Sequence, residues 1–293
     1  MKSYESRHDA QWLVALGDND YLGSPSQFRA NWQKSFGWAR RSGLRVGGVL
    51  GNHDYEISRG GYELATLGMP GRYYTRRLGG GAVQLFFLDS NDVSARQTAW
   101  LEQQLSESVA TWKIAVFHHP PYTCGGHSGD SEVVREWVPL FEDYGVQLVL
   151  SGHDHNYERT YALRGTDPGS PTRRPAVASR AVDVVDTTKG TVYLVLGGGG
   201  TSVPTPNYDS APEQPGDQSR VFVEDEESRG SATEDVTWTA RRDDDSRYGF
   251  ASFDVVPGHR PGGTTELRVT YHRLGATAPE PFDRFTLRRP RAD

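Results

Sequence analysis

Cysteine is almost missing from this chain. Cys124 stands alone in 293 residues, which excludes an internal disulfide and a thiolate-rich metal site. Long apolar runs are absent as well: none approaches the roughly 20 residues needed to cross a bilayer. The opening MKSYESRHDAQ lacks the apolar core of a secretory leader. Two locations are consistent with this, the cytoplasm, or an exported protein whose leader lies outside this sequence. No basic block occurs, and 38 acidic against 32 basic residues give a net charge of −6, which argues against nucleic acid as a partner. No internal repeat is evident, and the absence of HExxH disfavours a zinc hydrolase acting on amide bonds. With 35% hydrophobic residues and a mean hydropathy of −0.64, the chain is polar yet long enough to bury a substantial core.

Its apolar runs are short, and each stops on polar residues. Residues 12–16 lead into Gly17-Asp18-Asn19-Asp20-Tyr21, 46–50 into Gly51-Asn52-His53-Asp54, and 83–88 into Asp89-Ser90-Asn91-Asp92. Residues 114–117 lead into His118-His119-Pro120-Pro121-Tyr122, and 146–150 into Ser151-Gly152-His153-Asp154-His155. These are strand patterns, and helices fall between them. Ser24-Pro25 opens one with Phe28, Trp32 and Phe36 on one face, closed by Gly43. Ser94 and Gln97 have capping-box spacing for a second, through Trp100, Leu101 and Leu105. A third, 132–144, carries Val133, Val134, Trp137, Val138 and Phe141 on one stripe and stops at Gly145. Residues 60–82 read as a glycine-rich loop with a strand near Tyr73-Tyr74-Thr75.

The second half is different. Residues 192–196 form a strand pattern ending in four glycines, which serve either as a turn packed under a site or as a phosphate cradle. Residues 201–247, rich in Pro, Asp, Glu, Ser and Arg, read as an irregular insertion whose acidic runs 224–227 and 243–245 are solvated. Strands close the chain at 250–256, 266–272 and 283–287. The alternation predicts one layered α/β domain over 1–293. In such folds ligands gather beyond the carboxyl ends of the strands, so the polar tips converge.

Six of the nine histidines, His53, His118, His119, His127, His153 and His155, lie in or beside those tips, with Asp18 and Asn52. Imidazole, carboxylate and amide oxygen suit Zn, Mn or Fe. His153 and His155 are two apart, so in extended backbone both side chains face one way.

GDNDY, GNHD, HHPPY and GHDHNYER together resemble, in order and spacing from Trp12 onward, the motifs of the calcineurin-like metallophosphoesterases, most closely the purple acid phosphatase branch. The discriminating residue is Tyr21, three after Asp18, with Tyr157-Glu158-Arg159 as support. The resemblance implies an α/β/β/α sandwich of mixed sheets with helices outside. It implies two metal ions, Fe with Zn, Mn or a second Fe, bridged by Asp18. Asn52, His118 and His153 would complete one site and Tyr21 and His155 the other, with His119 behind the ligands. His53 would contact the substrate phosphate and assist the leaving oxygen, His127 would face the phosphate too, and Asp54 would orient His53 through a hydrogen bond. The implied reaction is hydrolysis of phosphomonoesters on small molecules by a metal-held hydroxide, with phosphodiesters as an alternative.

One family motif has no match. An aspartate two residues before a His or Gly should precede the strand carrying Asp18. His8-Asp9 has the wrong order, and Asp9 lies only nine residues before Asp18, fewer than the roughly 10–12 that a parallel crossover needs. The expected strand would lie upstream of Met1, the sandwich would lack its first strand, and the Tyr21/His155 site would keep three protein ligands. A competing reading is therefore a weakly active or inactive relative that holds one metal or a phosphate.

Overall fold

A computed structural model describes residues 1–293 apart from 22–23, 126, 128, 168–169, 171–172, 200–218, 226–229, 244–247, 259–262, 276 and 292–293. The chain opens with α1 (Lys2–Glu5), β1 (Trp12–Leu16), α2 (Pro25–Ser35), α3 (Gly37–Arg41) and β2 (Arg45–Val49). It continues through α4 (Asn52–Ser58), α5 (Gly61–Leu67), β3 (Tyr74–Leu78), β4 (Val83–Phe87) and α6 (Ala95–Ser106). Next come β5 (Trp112–Val116), α7 (Ser131–Glu136), α8 (Val138–Asp143) and β6 (Leu148–Ser151). The remaining described elements are strands: β7 (Tyr157–Thr160), β8 (Ala162–Thr166), β9 (Pro175–Ser179), β10 (Val184–Asp186), β11 (Val192–Leu196) and β12 (Ser219–Asp225), then β13 (Gly230–Val236), β14 (Thr239–Asp243), β15 (Gly249–Val256), β16 (Thr264–Leu274) and β17 (Pro279–Pro290).

Seven strands in the order β14-β7-β11-β6-β5-β4-β3 form the main sheet, parallel through β4, β5, β6 and β11 and antiparallel at both margins. Its strands alternate strictly. In β4 and β5, Val83, Leu85, Phe87, Ile114 and Val116 enter one core, while Phe86 and Ala115 enter the other. The period of two thus gives the sheet two apolar faces, as burial on both sides requires. On one face lie α6, α7 and α8, through Leu101, Leu105, Val133, Trp137 and Phe141. On the other pack Leu267, Val269, Phe285 and Leu287 of the four-stranded sheet β10-β17-β16-β15, with Val14, Leu16 and Val49 of the parallel pair β1-β2. Helix α3 covers the outside of that pair through Trp38 and Ala39 against Leu13 and Val46. The layers are those of an α/β/β/α sandwich.

Several local expectations change. Gln97 does not form a capping box with Ser94; its amide instead bridges the backbone of Asp89 and Asp92, pinning the tip of β4. The helix expected over 132–144 breaks at Trp137, because Pro139 lacks the N–H that a continuous helix would use. Residues 60–82 contain α5, bracketed by left-handed Gly60 and Gly68, where a loop was expected. Within 201–247, β12 and β13 form a hairpin and β14 extends the main sheet beside β7, so this stretch is not irregular throughout; 201–218 lie outside the described residues. Asp243 is buried rather than solvated, 3.6 Å from Arg273.

Candidate metal centre

The tips of β1, β2, β5 and β6 meet at one end of the sandwich. What lets them meet is a lack of side chain. Gly17 holds φ +90°, and a Cβ there would enter the His118 ring. A Cβ on Gly51 would collide with Asp18. Asp18 and His153 themselves take left-handed backbone, at φ 48° and 68°. Such conformations cost of order 1–3 kcal/mol and persist where surrounding contacts over-determine them.

His118 is buried, and its Nδ1 donates to the Leu16 carbonyl at 2.7 Å. In the neutral ring that bond fixes the tautomer and leaves Nε2 with a lone pair. Nε2 lies 3.2 Å from Asn52 Oδ1, 3.3 Å from Asp18 Oδ2 and 3.3 Å from His153 Nδ1. With His118 neutral, four acceptor-capable atoms converge with at most one proton, on His153, between them. A hard or borderline cation is what such a cluster fits, so this donor set accommodates a metal. Asp18 Oδ2 also accepts from the Tyr21 hydroxyl at 3.1 Å, and that oxygen is 3.3 Å from His155 Nε2. Asp18 is therefore common to two groups, one with Asn52, His118 and His153, the other with Tyr21 and His155.

The electrostatics agree with that division. Burial acts most strongly on Asp18 and favours its neutral form, but the bond to His118 and the His118 and His53 charges outweigh it and hold the carboxyl well below the usual range. Burial, then the His118, His119 and His127 charges, push His153 down to about 2, so its imidazole is neutral with a lone pair to offer. Tyr21 is pushed far up by burial and by Asp18; its phenolate would require a cation beside it, which inverts that logic.

His53 opens α4. Its backbone N–H donates to Asp18 Oδ1 at 3.0 Å, and its ring, 37% exposed, lies 4.5 Å from that of Tyr21 at the edge of the centre. Asp54 does not orient it, contrary to the sequence expectation. Successive helical residues point about 100° apart. Asp54 is directed inward, where Oδ1 accepts from the Asn19 and Asp20 backbones (2.8 and 3.1 Å) and Oδ2 from Gly51 N–H and the Asn19 amide (2.8 and 2.9 Å). It braces the loop bearing Asp18 and Tyr21. The acid beside His53 is Glu56, 3.3 Å from Nδ1 and one turn along the helix. His127 is exposed, with its ring 4.1 Å from that of His153 and its backbone N–H on Asp154 Oδ1.

Sequence reading gave His119 no partner. Its ring joins the centre: ligand atoms of His118, His119 and His153 lie within 4.8 Å of one another. Ser90 Oγ accepts the His119 backbone N–H at 3.0 Å and lies 2.9 Å from Nδ1, while burial and the His118 charge push its pKa down to about 4. The polar tip 89–92 was the available signal. A second unforeseen network lies beneath His153 and His155. Thr123 Oγ1 donates to Asp154 Oδ2 at 2.5 Å and lies 3.1 Å from Glu158, which also accepts from Cys124 N–H and the Asn156 amide. Burial, then the Asp154 charge, push Glu158 up to about 7. Gly197 leaves no room for a Cβ against the Asp154 carbonyl, which favours the turn reading for the first glycine of its run.

Comparison with known proteins bears on the family and the fold. A family model described as "Calcineurin-like phosphoesterase" matches residues 1–157. The uncharacterized protein Rv2577 of Mycobacterium tuberculosis is 35% identical over 285 residues, covering 83% of this chain and 53% of that protein. Purple acid phosphatase 7 of Arabidopsis thaliana is 28% identical over 184 residues, covering 50% of this chain and 55% of its own. The chain thus spans about half the length of these relatives. In fold it is similar to purple acid phosphatase PPD1 of yellow lupin, with a TM-score of 0.64 at 16% identity over 97% of this chain and 47% of that one.

Proposed function

We propose, from the premise that the chain belongs to the calcineurin-like phosphoesterase family, that it is a metal-dependent phosphatase acting on phosphomonoesters of small molecules. The observation that carries this reading is the convergence of Asp18, Asn52, His118 and His153 on one point, with Asp18 shared by Tyr21 and His155. Metal ions held by these two groups, Fe with Zn, Mn or a second Fe, would supply Lewis-acid charge for the phosphoryl oxygens and acidify the attacking water. The residues do the rest. Leu16 keeps His118 in the tautomer that offers Nε2. Asp54 and Ser90 hold their loops so that no reorganisation accompanies the reaction. His53, at the open edge and attached through its backbone to Asp18, is placed to give a proton to the departing alkoxide. His127 lies beside His153, where an imidazolium would contact a phosphoryl oxygen.

The test is turnover of p-nitrophenyl phosphate against bis-p-nitrophenyl phosphate after loading with Zn, Mn or Fe, with metal content measured in parallel. Preference for the monoester, with metal retained but turnover lost in His53→Ala, is expected. Metal bound without turnover would favour a second reading, a mononuclear binding protein. That reading draws on the smaller protein donor set, Asp18, Tyr21 and His155, on one side of the centre, where Tyr21 is 38% exposed.

A further inference from the structure

Beyond His118 at the tip of β5, the chain makes a loop that leads into α7 and closes on itself where Asp130 N–H donates to the Pro120 carbonyl at 2.9 Å. Between those ends its backbone is gathered around two carboxylates from elsewhere in the fold. Asp154, set between the candidate ligands His153 and His155, accepts His127 N–H on Oδ1 at 3.0 Å and the Thr123 hydroxyl on Oδ2 at 2.5 Å. Glu158, on β7, accepts Cys124 N–H on Oε2 and the Asn156 amide on Oε1, both at 2.7 Å. The Thr123 hydroxyl in turn accepts Gly125 N–H at 3.0 Å and lies 3.1 Å from Glu158 Oε1. At Gly125 a Cβ would collide with the Asp154 carboxyl carbon, so the loop is drawn tight against that side chain.

Asp154, Glu158, Thr123 and Asn156 are each no more than 4% exposed, so these groups are enclosed by protein and do not meet a substrate. Burying two carboxylates is unfavourable unless their oxygens are hydrogen-bonded, and a network satisfied in this way rigidifies what it touches. All four oxygens accept a bond here, three of them from residues of one loop. That loop carries His127, whose exposed ring stands 4.1 Å from the ring of His153. An exposed side chain is placed chiefly by its backbone, and the His127 backbone is held by Asp154.

We infer that Asp154 is a positioning residue for His127: standing between two ligands of the metal centre, its side chain transmits their geometry to the imidazole beside them. What His127 meets, a phosphoryl oxygen, rests on the phosphatase reading; the tether does not. The affinity of the centre for phosphate therefore depends on a carboxylate that never touches phosphate. Asparagine is a competent substitute. Its Oδ1 still accepts from His127, its amide donates to Thr123 Oγ1, which has two lone pairs, and the hydroxyl turns its own proton to Glu158 Oε1.

Calorimetry of inorganic phosphate binding to the Zn-loaded full chain tests this without requiring turnover, with Zn content measured for every variant. His127→Ala should weaken phosphate about tenfold through loss of one charge-assisted bond. Asp154→Ala should weaken it about as much with Zn content unchanged, Asp154→Asn by no more than about threefold, and Asp154→Ala combined with His127→Ala no further than His127→Ala alone. In amide exchange read by NMR, His127 N–H should exchange at least about tenfold faster in Asp154→Ala. A merely structural role would weaken phosphate in the His127→Ala background as well. Should Asp154→Ala fail to fold or lose Zn, Thr123→Val removes the donor to Oδ2 from a separate loop, and its effect on phosphate should likewise vanish in the His127→Ala background. Effects that multiply in the double variant, unchanged phosphate affinity in Asp154→Ala, asparagine no better than alanine, or no phosphate binding by the wild type would overturn the proposal. The expected pattern in a protein that turns over no ester would support the positioning role and count against the phosphatase reading alone.

Discussion

Replacing His119 with glutamine isolates one half-buried imidazole of the candidate centre in the metal-free protein. His119 has its pKa pushed down to about 4 from an ordinary 6.5 by burial and the neighbouring His118 charge. An imidazole with a depressed folded pKa contributes stability that is present above the unfolded value, and this is lost as pH falls from about 6.5 toward 4. Between pH 7.5 and 5 that loss is about 2 kcal/mol for His119 alone. Glutamine removes the titration and at most the contact with Ser90, worth about 1 kcal/mol. The variant should therefore be the less stable protein by about 1 kcal/mol at pH 7.5 and the more stable by about 1 kcal/mol at pH 5. The crossover is measured by urea unfolding of both proteins at each pH. Taking the difference cancels the opposite trend from Glu158, whose raised pKa contributes stability at low pH that is lost as pH rises through about 7. A gap between variant and wild type that stays constant within 0.5 kcal/mol, roughly the resolution of such measurements, would refute the reasoning.

Asp283 accepts from Tyr157 (2.6 Å) and from the buried Arg159 (2.7 Å), joining the main sheet to β17. Asp283→Asn should cost about 3–5 kcal/mol in urea unfolding, because the guanidinium stays buried without its counter-charge, while Tyr157→Phe should cost about 1 kcal/mol. Gly17→Ala should lower stability by about 3 kcal/mol and abolish Zn binding in calorimetry, since the new methyl enters the His118 ring at a backbone φ of +90°. Asp54→Ala should weaken Zn binding at least tenfold along with stability, leaving four loop donors without their acceptor, whereas Glu56→Ala should change neither by more than about 0.5 kcal/mol as an exposed pair. If Asp54→Ala left Zn affinity untouched and reduced only turnover, Asp54 would be acting through His53 after all.

Much of the fold was legible because its periodicities are strict. The runs beginning at Trp12, Val83 and Val192 are strands in the structure, and the Phe28/Trp32 stripe lies on a helix capped by Ser24, whose Oγ accepts from Gln27 N–H. What failed depended on context. Gln97 carries the right spacing for a capping box, but its amide is spent on the β4 tip, which lies far enough away in sequence to escape a local rule. Helix α5 is short and bounded by glycines on both sides, so composition alone resembles a loop. Asp54 was assigned by adjacency to His53, and adjacency on a helix means different faces.

The sequence by itself determined the chemistry available: one cysteine, no membrane-length apolar run, and histidine, aspartate, asparagine and tyrosine set at the ends of apolar strands. Strand polarity then puts the tips of each sheet at one end, because parallel strands present their carboxyl ends together. Tertiary structure decided which atoms meet. Asp18 lies within reach of both ligand groups, His119 is drawn in through Ser90, and Asp54 is turned away to brace a loop. Those outcomes depend on left-handed turns, on glycines that let backbones touch and on the spacing between layers, none of which a local pattern of residues encodes.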